Sequence, residues 1–193
     1  MLLAGGESRR MGRSKLPLEV GGVPLIRRVY DALISQCDEI LIVGPEDAPG
    51  IEGIRLAPDL RPGRGPLAGM EAGLKAASHQ LVFVAAGDLP FLPQALVTFL
   101  LERVSAGASA AVPMFGGRPH PLCAAYDRGV LPAITSSLDE GIGAVRELLR
   151  TLDGVEFVDE ELWRFGDPET FLMNVNTPED LNRARDIFRG GRP

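Results

Sequence analysis

The chain is 193 residues long, 45% hydrophobic and 24% charged, with a formal net charge of −6. That size suits one domain with a sizeable core, and the acidic total argues against the broad basic face that nonspecific nucleic-acid binding requires. No apolar run approaches the roughly 20 residues of a membrane-crossing helix, and the start lacks the charged-then-apolar layout of a secretion signal. A cytoplasmic protein with no nucleic-acid or membrane partner is therefore expected. Cys37 and Cys123 lie far apart without C-x-x-C spacing, which points to two reduced thiols. His79 and His120 are the only histidines, too few for a His-rich metal centre.

From the N-terminus, Leu2–Ala4 makes a short strand that runs into "GGESRRMGRSK". Gly5 and Gly6 admit a ligand to the backbone that a Cβ would exclude. Arg9, Arg10, Arg13 and Lys15 against Glu7 give this loop a local charge of +3, opposite to the chain's overall sign. Glycine beside gathered positive charge suggests a bound anion, with phosphate the first candidate, against the alternative of a solvated basic loop. The spacing matches neither G-x-x-x-x-G-K-[ST] nor G-x-G-x-x-G, so neither the common ATPase loop nor a dinucleotide fingerprint is indicated.

Pro24 opens a helix with Leu25, Val29 and Leu33 on one face. "EILIVG" (Glu39–Gly44) reads as a strand covered on both sides. Asp59 follows another short apolar stretch in "APDLRPGRGPLAGM", where Gly63, Gly65 and Gly69 surround Arg64. Such glycine density predicts either a loop pressed against a ligand or a neighbouring backbone, or a plain mobile loop. Pro66 starts a second helix, with Leu67, Met70 and Leu74 on its buried side. "LVFVAAGD" (Leu81–Asp88) is another doubly covered strand, and it delivers Asp88 to a tip fixed by Leu89–Pro90. A carboxylate there suits Mg²⁺, which takes one or two carboxylates with water and substrate phosphates. Alternatively, Asp88 caps the helix that Pro93 begins. Strand, helix, strand, helix in this order implies an α/β protein with a mostly parallel sheet between helix layers.

Beyond Ala108, "AAVPMF" and "HPLCAAY" flank "GGRP", as in an antiparallel hairpin. Helices around 130–138 and 142–152 and a short strand "VEFVD" follow. Thr177 suits a helix N-cap, Pro178 the first helical position, and Asp180 adds favourable negative charge. Asn174 and Asn176 alternate just before that cap, placed to read a polar ligand or to satisfy loop backbone. No repeat, low-complexity tract or linker divides the chain, so one domain over residues 1–193 is expected.

In this order over almost the whole chain, "LAGGESRRMGRSK", "GPLAGM", "DLPFLP" and "NVNTPEDL" resemble molybdenum cofactor guanylyltransferase of the MobA type. The first motif marks the wider nucleotidyltransferase superfamily and the last narrows it. The resemblance implies a Rossmann-like, three-layer nucleotidyltransferase fold with an antiparallel strand or hairpin inserted. It implies transfer of GMP from GTP to the terminal phosphate of molybdenum-molybdopterin, with release of pyrophosphate. Transient contacts with cofactor-insertion proteins and molybdoenzymes are also implied. Leu3, Ala4 and Gly5, with Gly6 beside them, match the guanine-nucleotide loop, and Lys15 matches its phosphate-binding lysine. Asp59 matches a nucleotide-contacting aspartate, Asp88 the Mg²⁺ ligand, and Asn174 and Asn176 the pterin side. Gly44 stands where the family often carries asparagine. His120, between two prolines, is either a contact to the pterin or its phosphate, or a packed loop imidazole.

Gly5 favours guanine, because the related cytidylyltransferases tend to read L-A-A-G here. A sugar-nucleotide pyrophosphorylase shares the first loop but not the ending. A non-catalytic carrier of nucleotide or pterin has no need of both Lys15 and Asp88. The chemistry also suits these residues without the name. A phosphate monoester has a second pKa of about 6, so it is mostly dianionic and needs no general base. The obstacle is repulsion from the triphosphate: two unit charges about 4 Å apart interact by about 4 kcal/mol at an effective dielectric of about 20. Mg²⁺ on Asp88, with Lys15 and Arg10 nearby, offsets several such terms and aligns attack on the α-phosphorus. Lys15, Arg10 and Asp88 are thus the catalytic candidates.

Overall fold

The computed structural model describes residues 1–4, 17–44, 51 and 54–190. Strand β1 (Leu2–Leu3) precedes a small hairpin of β2 (Glu19–Val20) and β3 (Val23–Pro24). Its turn residues, Gly21 and Gly22, have φ of 63° and 75°. Two consecutive left-handed residues are what a two-residue hairpin turn demands, and glycine supplies them without steric cost. The chain continues through α1 (Leu25–Leu33), β4 (Leu41–Val43), β5 (Arg55–Ala57) and α2 (Pro66–Ala76). Then come β6 (Leu81–Ala86), α3 (Gln94–Ser105), β7 (Ala110–Phe115), β8 (Arg118–Pro119) and β9 (Cys123–Asp127). The remaining elements are α4 (Leu131–Asp139), α5 (Val145–Leu148), β10 (Val155–Val158), α6 (Pro168–Phe171) and α7 (Pro178–Arg189).

Among the described residues one sheet runs in the order β10-β7-β9-β6-β1-β4-β5, with β8 attached to β7. β1 is only two residues long but central, pairing in parallel with both β4 (Leu3↔Val43) and β6 (Leu3↔Ala86). β9 runs antiparallel between β6 and β7, while β10 is parallel to β7. The mostly parallel α/β sandwich expected from the sequence is therefore present. The antiparallel pairing expected of "AAVPMF" and "HPLCAAY" is present as β7 against β9 (Ala111↔Ala125), with two additions: β7 first turns into the two-residue β8, and β9 also lies beside β6. The helix expected over 142–152 is shorter, because 141–144 is loop and α5 begins at Val145.

The sheet divides the core in two, and the two-residue period of its strands explains how. Leu2, Phe83, Ala85, Ala111 and Ala125 face α1 and α3, whereas Leu3, Val82, Val84, Val112 and Tyr126 face α2, α4 and α5. Strands buried on both faces must be apolar at every position, hence the unbroken run in β6. Gly69 and Gly73 belong to α2, not to the preceding loop. A Cβ on Gly69 would stand 3.4 Å from Leu3, and one on Gly73 would collide with Met1 and sit 3.0 Å from Val43. Glycine here lets the helix lie close on β1 and β4. A third cluster joins Leu18, Val20 and Leu25 to Val175, Leu181 and Ala184 of the α7 region. Thr177 caps α7 as expected: its hydroxyl accepts from Asp180 N–H at 3.1 Å, and Asp180 accepts from Thr177 N–H at 2.8 Å. No helix among the described residues is long and apolar enough to cross a membrane.

Candidate active site

After β1 the chain builds β4 and β5 on one side, then crosses to place β6 on the other. Neighbouring connections diverge at such a point, and the gap outside the carboxyl ends of the strands is where α/β proteins bind ligands. The buried Leu3 and Ala4 sit at this gap, with Ala4 N–H donating to Val43 O at 2.8 Å. Gly87 N–H donates to Leu3 O at 3.0 Å, so the peptide preceding Asp88 is fastened to the end of β1. Gly5, Gly6, Arg10 and Lys15 lie outside the described residues.

Asp88 is 5% exposed, one of few charged side chains so deeply placed. Asn174 Nδ2 donates to its Oδ1 at 2.7 Å, and Val175 N–H donates to its backbone carbonyl at 3.0 Å. The segment before α7 thus straps across the tip of β6. This gives Asn174 a task that the resemblance did not imply: it holds the carboxylate. Asn176 is exposed, and its N–H donates to Asp180 at 2.9 Å in the cap of α7. It is not among the residues lining the neighbouring cavity. Asp59 stands at the tip of β5, two strands from β1 on the same sheet edge, and its Oδ1 accepts from Arg61 N–H at 2.9 Å.

Beside the Asn174 strap opens a cavity of about 640 Å³, within the size range of small-molecule sites. Gly63–Pro66 form one wall, Gly141 and Gly143–Arg146 another, and His120 with Leu122 and Cys123 the floor. At Gly65, though not at Gly63, the glycine is met by a neighbouring backbone. A Cβ on Gly143 would lie 2.6 Å from Arg64 O, and one on Gly65, which has φ of 82°, would lie 3.2 Å from Gly143 O. Arg64 Nη2 donates to Leu138 O at 3.1 Å, which ties that guanidinium to the end of α4. His120 is set by two backbone bonds, its N–H to Pro113 O at 2.8 Å and its carbonyl from Cys123 N–H at 3.0 Å. Burial and then the charge of Arg146 push its imidazole below the ordinary pKa. Cys37 and Cys123 are both free.

Reading the segment as helix from 142 hid the 141–144 turn, and Arg146 within α5 was not singled out. The signal was available, since "GIGAVR" pairs glycines with a cation as "GRG" does.

Residues 1–155 match the family described as MobA-like NTP transferase domain. The chain belongs to the MobA-like NTP transferases. Along its whole length it is 40% identical to a probable molybdenum cofactor guanylyltransferase of Pelotomaculum thermopropionicum, 94% of which is covered. It is 39% identical to molybdenum cofactor guanylyltransferase of Rhodobacter capsulatus, again over 100% of this chain and 97% of that protein. A crystal structure of molybdopterin-guanine dinucleotide biosynthesis protein A from Archaeoglobus fulgidus superposes with a TM-score of 0.84. It is 28% identical, and the alignment covers 98% of this chain and 97% of that one. Asn174 and α7 lie beyond the part of this MobA-like transferase that matches the family domain, but within the span shared with its full-length relatives.

Proposed function

We propose that this enzyme transfers GMP from GTP to the terminal phosphate of molybdenum-molybdopterin, in the cytoplasm and with residues 1–193 acting as one domain. An oxygen of the acceptor phosphate bonds to the α-phosphorus of GTP. The bond from that phosphorus to the bridging oxygen of the β-phosphate breaks, and pyrophosphate leaves with the electron pair. The observation that carries this reading is Asp88, a nearly buried carboxylate fastened at the end of β1 and strapped by Asn174.

The donor set fits Mg²⁺. It is one oxygen-donating carboxylate, and among the described residues no group of three or more His, Cys, Asp and Glu gathers to form a cage. That is the protein share expected for an ion that takes its other ligands from water and substrate phosphates. When bound, Mg²⁺ supplies charge neutralisation on the triphosphate and the departing pyrophosphate. Asp88 holds the ion and Asn174 fixes the carboxylate's orientation. Leu3, Ala4, Gly5 and Gly6 are assigned to the nucleotide with Asp59, and Arg10 and Lys15 to its phosphates, on the resemblance of the first motif. The acceptor takes the cavity, where Arg146 meets its negative charge and His120, kept neutral, offers a hydrogen bond. Asn176, which the resemblance gave to the pterin side, is left to the cap of α7.

Pyrophosphate release measured with molybdenum-molybdopterin and either GTP or CTP tests the reading. Release with GTP alone is expected. Release with CTP instead makes the enzyme a cytidylyltransferase, and release with neither makes the protein a carrier. The cavity assignment has its own test. Arg146→Met is expected to raise the acceptor KM about tenfold, the loss of one charge-assisted contact, and to leave the GTP KM near wild type. The same change removes a cation that disfavours imidazolium, so the His120 pKa should rise in an NMR titration. A shift in the GTP KM alone would reverse the assignment of the two substrates.

A further inference from the structure

Two walls of the cavity come from distant parts of the chain, yet they are locked together at both ends. At the outer end stands Arg61, just after β5. Its Nε donates to Glu71 Oε2 at 3.0 Å, its Nη2 to Glu71 Oε1 at 3.4 Å, and its Nη1 to Asp139 Oδ1 at 2.6 Å. Glu71 is fully buried in α2 and also accepts from Lys75 at 2.8 Å and Thr135 at 3.0 Å. At the inner end is the seam between Arg64–Gly65 and Gly143, where backbone meets backbone and no Cβ fits.

The two ionic contacts of Arg61 differ in kind. Asp139 is 62% exposed, and a pair so solvated contributes little energy by itself. Glu71 is anchored within the core, so it defines where the guanidinium sits, and the planar fork then dictates where Asp139 and the end of α4 must lie. At the seam the two backbones are in direct contact, where a Cβ on Gly143 would stand 2.6 Å from Arg64 O, so a displacement of one wall meets the other. One wall continues from Asp59 and the other leads to Val145 and Arg146.

We infer that Arg61 is a positioning residue: seated on Glu71, it holds the 61–66 and 138–144 segments as one wall and so couples the nucleotide half-site to the acceptor half-site. The naming of the two half-sites rests on the proposed function; the mechanical coupling does not. Amide hydrogen exchange and steady-state kinetics on full-length Arg61→Met, Arg61→Lys and Asp139→Asn test it. In Arg61→Met, exchange is expected to rise about tenfold in both segments together, with other amides unchanged. The KM values for GTP and acceptor should both rise about tenfold while kcat at saturation falls less than about threefold.

Arg61→Lys keeps the charge but cannot span both carboxylates, so it should release 138–144 more than 61–66. Asp139→Asn alters only an exposed side chain, so it reports on the same coupling if Arg61→Met fails to fold, with a smaller rise in both segments. Loosening of one segment without the other in Arg61→Met or Asp139→Asn, or no loosening in any variant, overturns the inference. A wild-type protein that transfers no nucleotide would sink the proposed function and leave the exchange data to decide the coupling alone.

Discussion

Asp88→Asn is expected to lower Mg²⁺-dependent GMP transfer by about a thousandfold, which is about 4 kcal/mol of transition-state stabilisation, while the melting temperature stays near wild type. The two halves of this expectation have separate causes. Asparagine retains a carbonyl oxygen at the position that accepts from Asn174 Nδ2, and the backbone bond from Val175 to residue 88 does not involve the side chain at all. The strap therefore survives. What disappears is the negative charge that holds a divalent cation against a triphosphate and an incoming phosphate, with several repulsive terms of a few kcal/mol each left uncompensated. Asn174→Ala should reduce turnover less, about tenfold, because the charge remains and only its aim is lost. Initial rates of pyrophosphate release and a thermal melt on the same samples check both. Turnover by Asp88→Asn within tenfold of wild type would remove this carboxylate from the chemistry.

What the sequence disclosed about this site, and what it hid, follows from the range of each interaction. The run in β6 is legible because burial on both faces demands an apolar residue at every step, and Asp88 stands out as the first charge after it. The Thr177 cap is legible because its bonds to Asp180 span three residues. The Asn174–Asp88 bond joins positions 86 apart, and no local pattern carries that information. The insertion of β9 beside β6 was implied by the resemblance and not by its own residues. A strand's own residues report how it is covered, whereas its direction relative to a neighbour is fixed by the crossing connection. Gly69 shows the opposite failure: grouped with Gly63 and Gly65 as loop glycine, it belongs to α2, where the helix lies close on β1 and β4. Nothing in the sequence singled out Glu71, which is fully buried. With Lys75 four positions on, it reads as an exposed helix pair, and only the arrival of α4 buries it.

Glu71→Gln is therefore expected to cost about 2 kcal/mol of stability and about 4–8 °C in melting temperature, more than a helix-surface charge would. The substitution conserves volume, so no cavity opens. The loss falls on bonds from Arg61, Lys75 and Thr135 that were strengthened by the carboxylate's charge. The size of the effect depends on pH in a direction set by the folded protein. Burial alone pushes the Glu71 carboxyl upward, but the bonds from Lys75 and Thr135 and the charges of Lys75 and Arg61 outweigh it and hold the group below the ordinary carboxylate range. A group depressed in this way stabilises the fold above its unfolded pKa of about 4.3, and that contribution is lost as pH falls through the lower folded value. Glutamine has no such titration. The gap in melting temperature between wild type and Glu71→Gln should then be constant from neutral pH down to about pH 5 and close progressively in more acidic buffer. Other carboxylates titrate in both proteins and cancel from the difference. A gap that persists unchanged at pH 3 would mean that packing, not the ionised carboxylate, holds α2 to α4. It would also remove the fixed seat from which Arg61 sets the cavity wall.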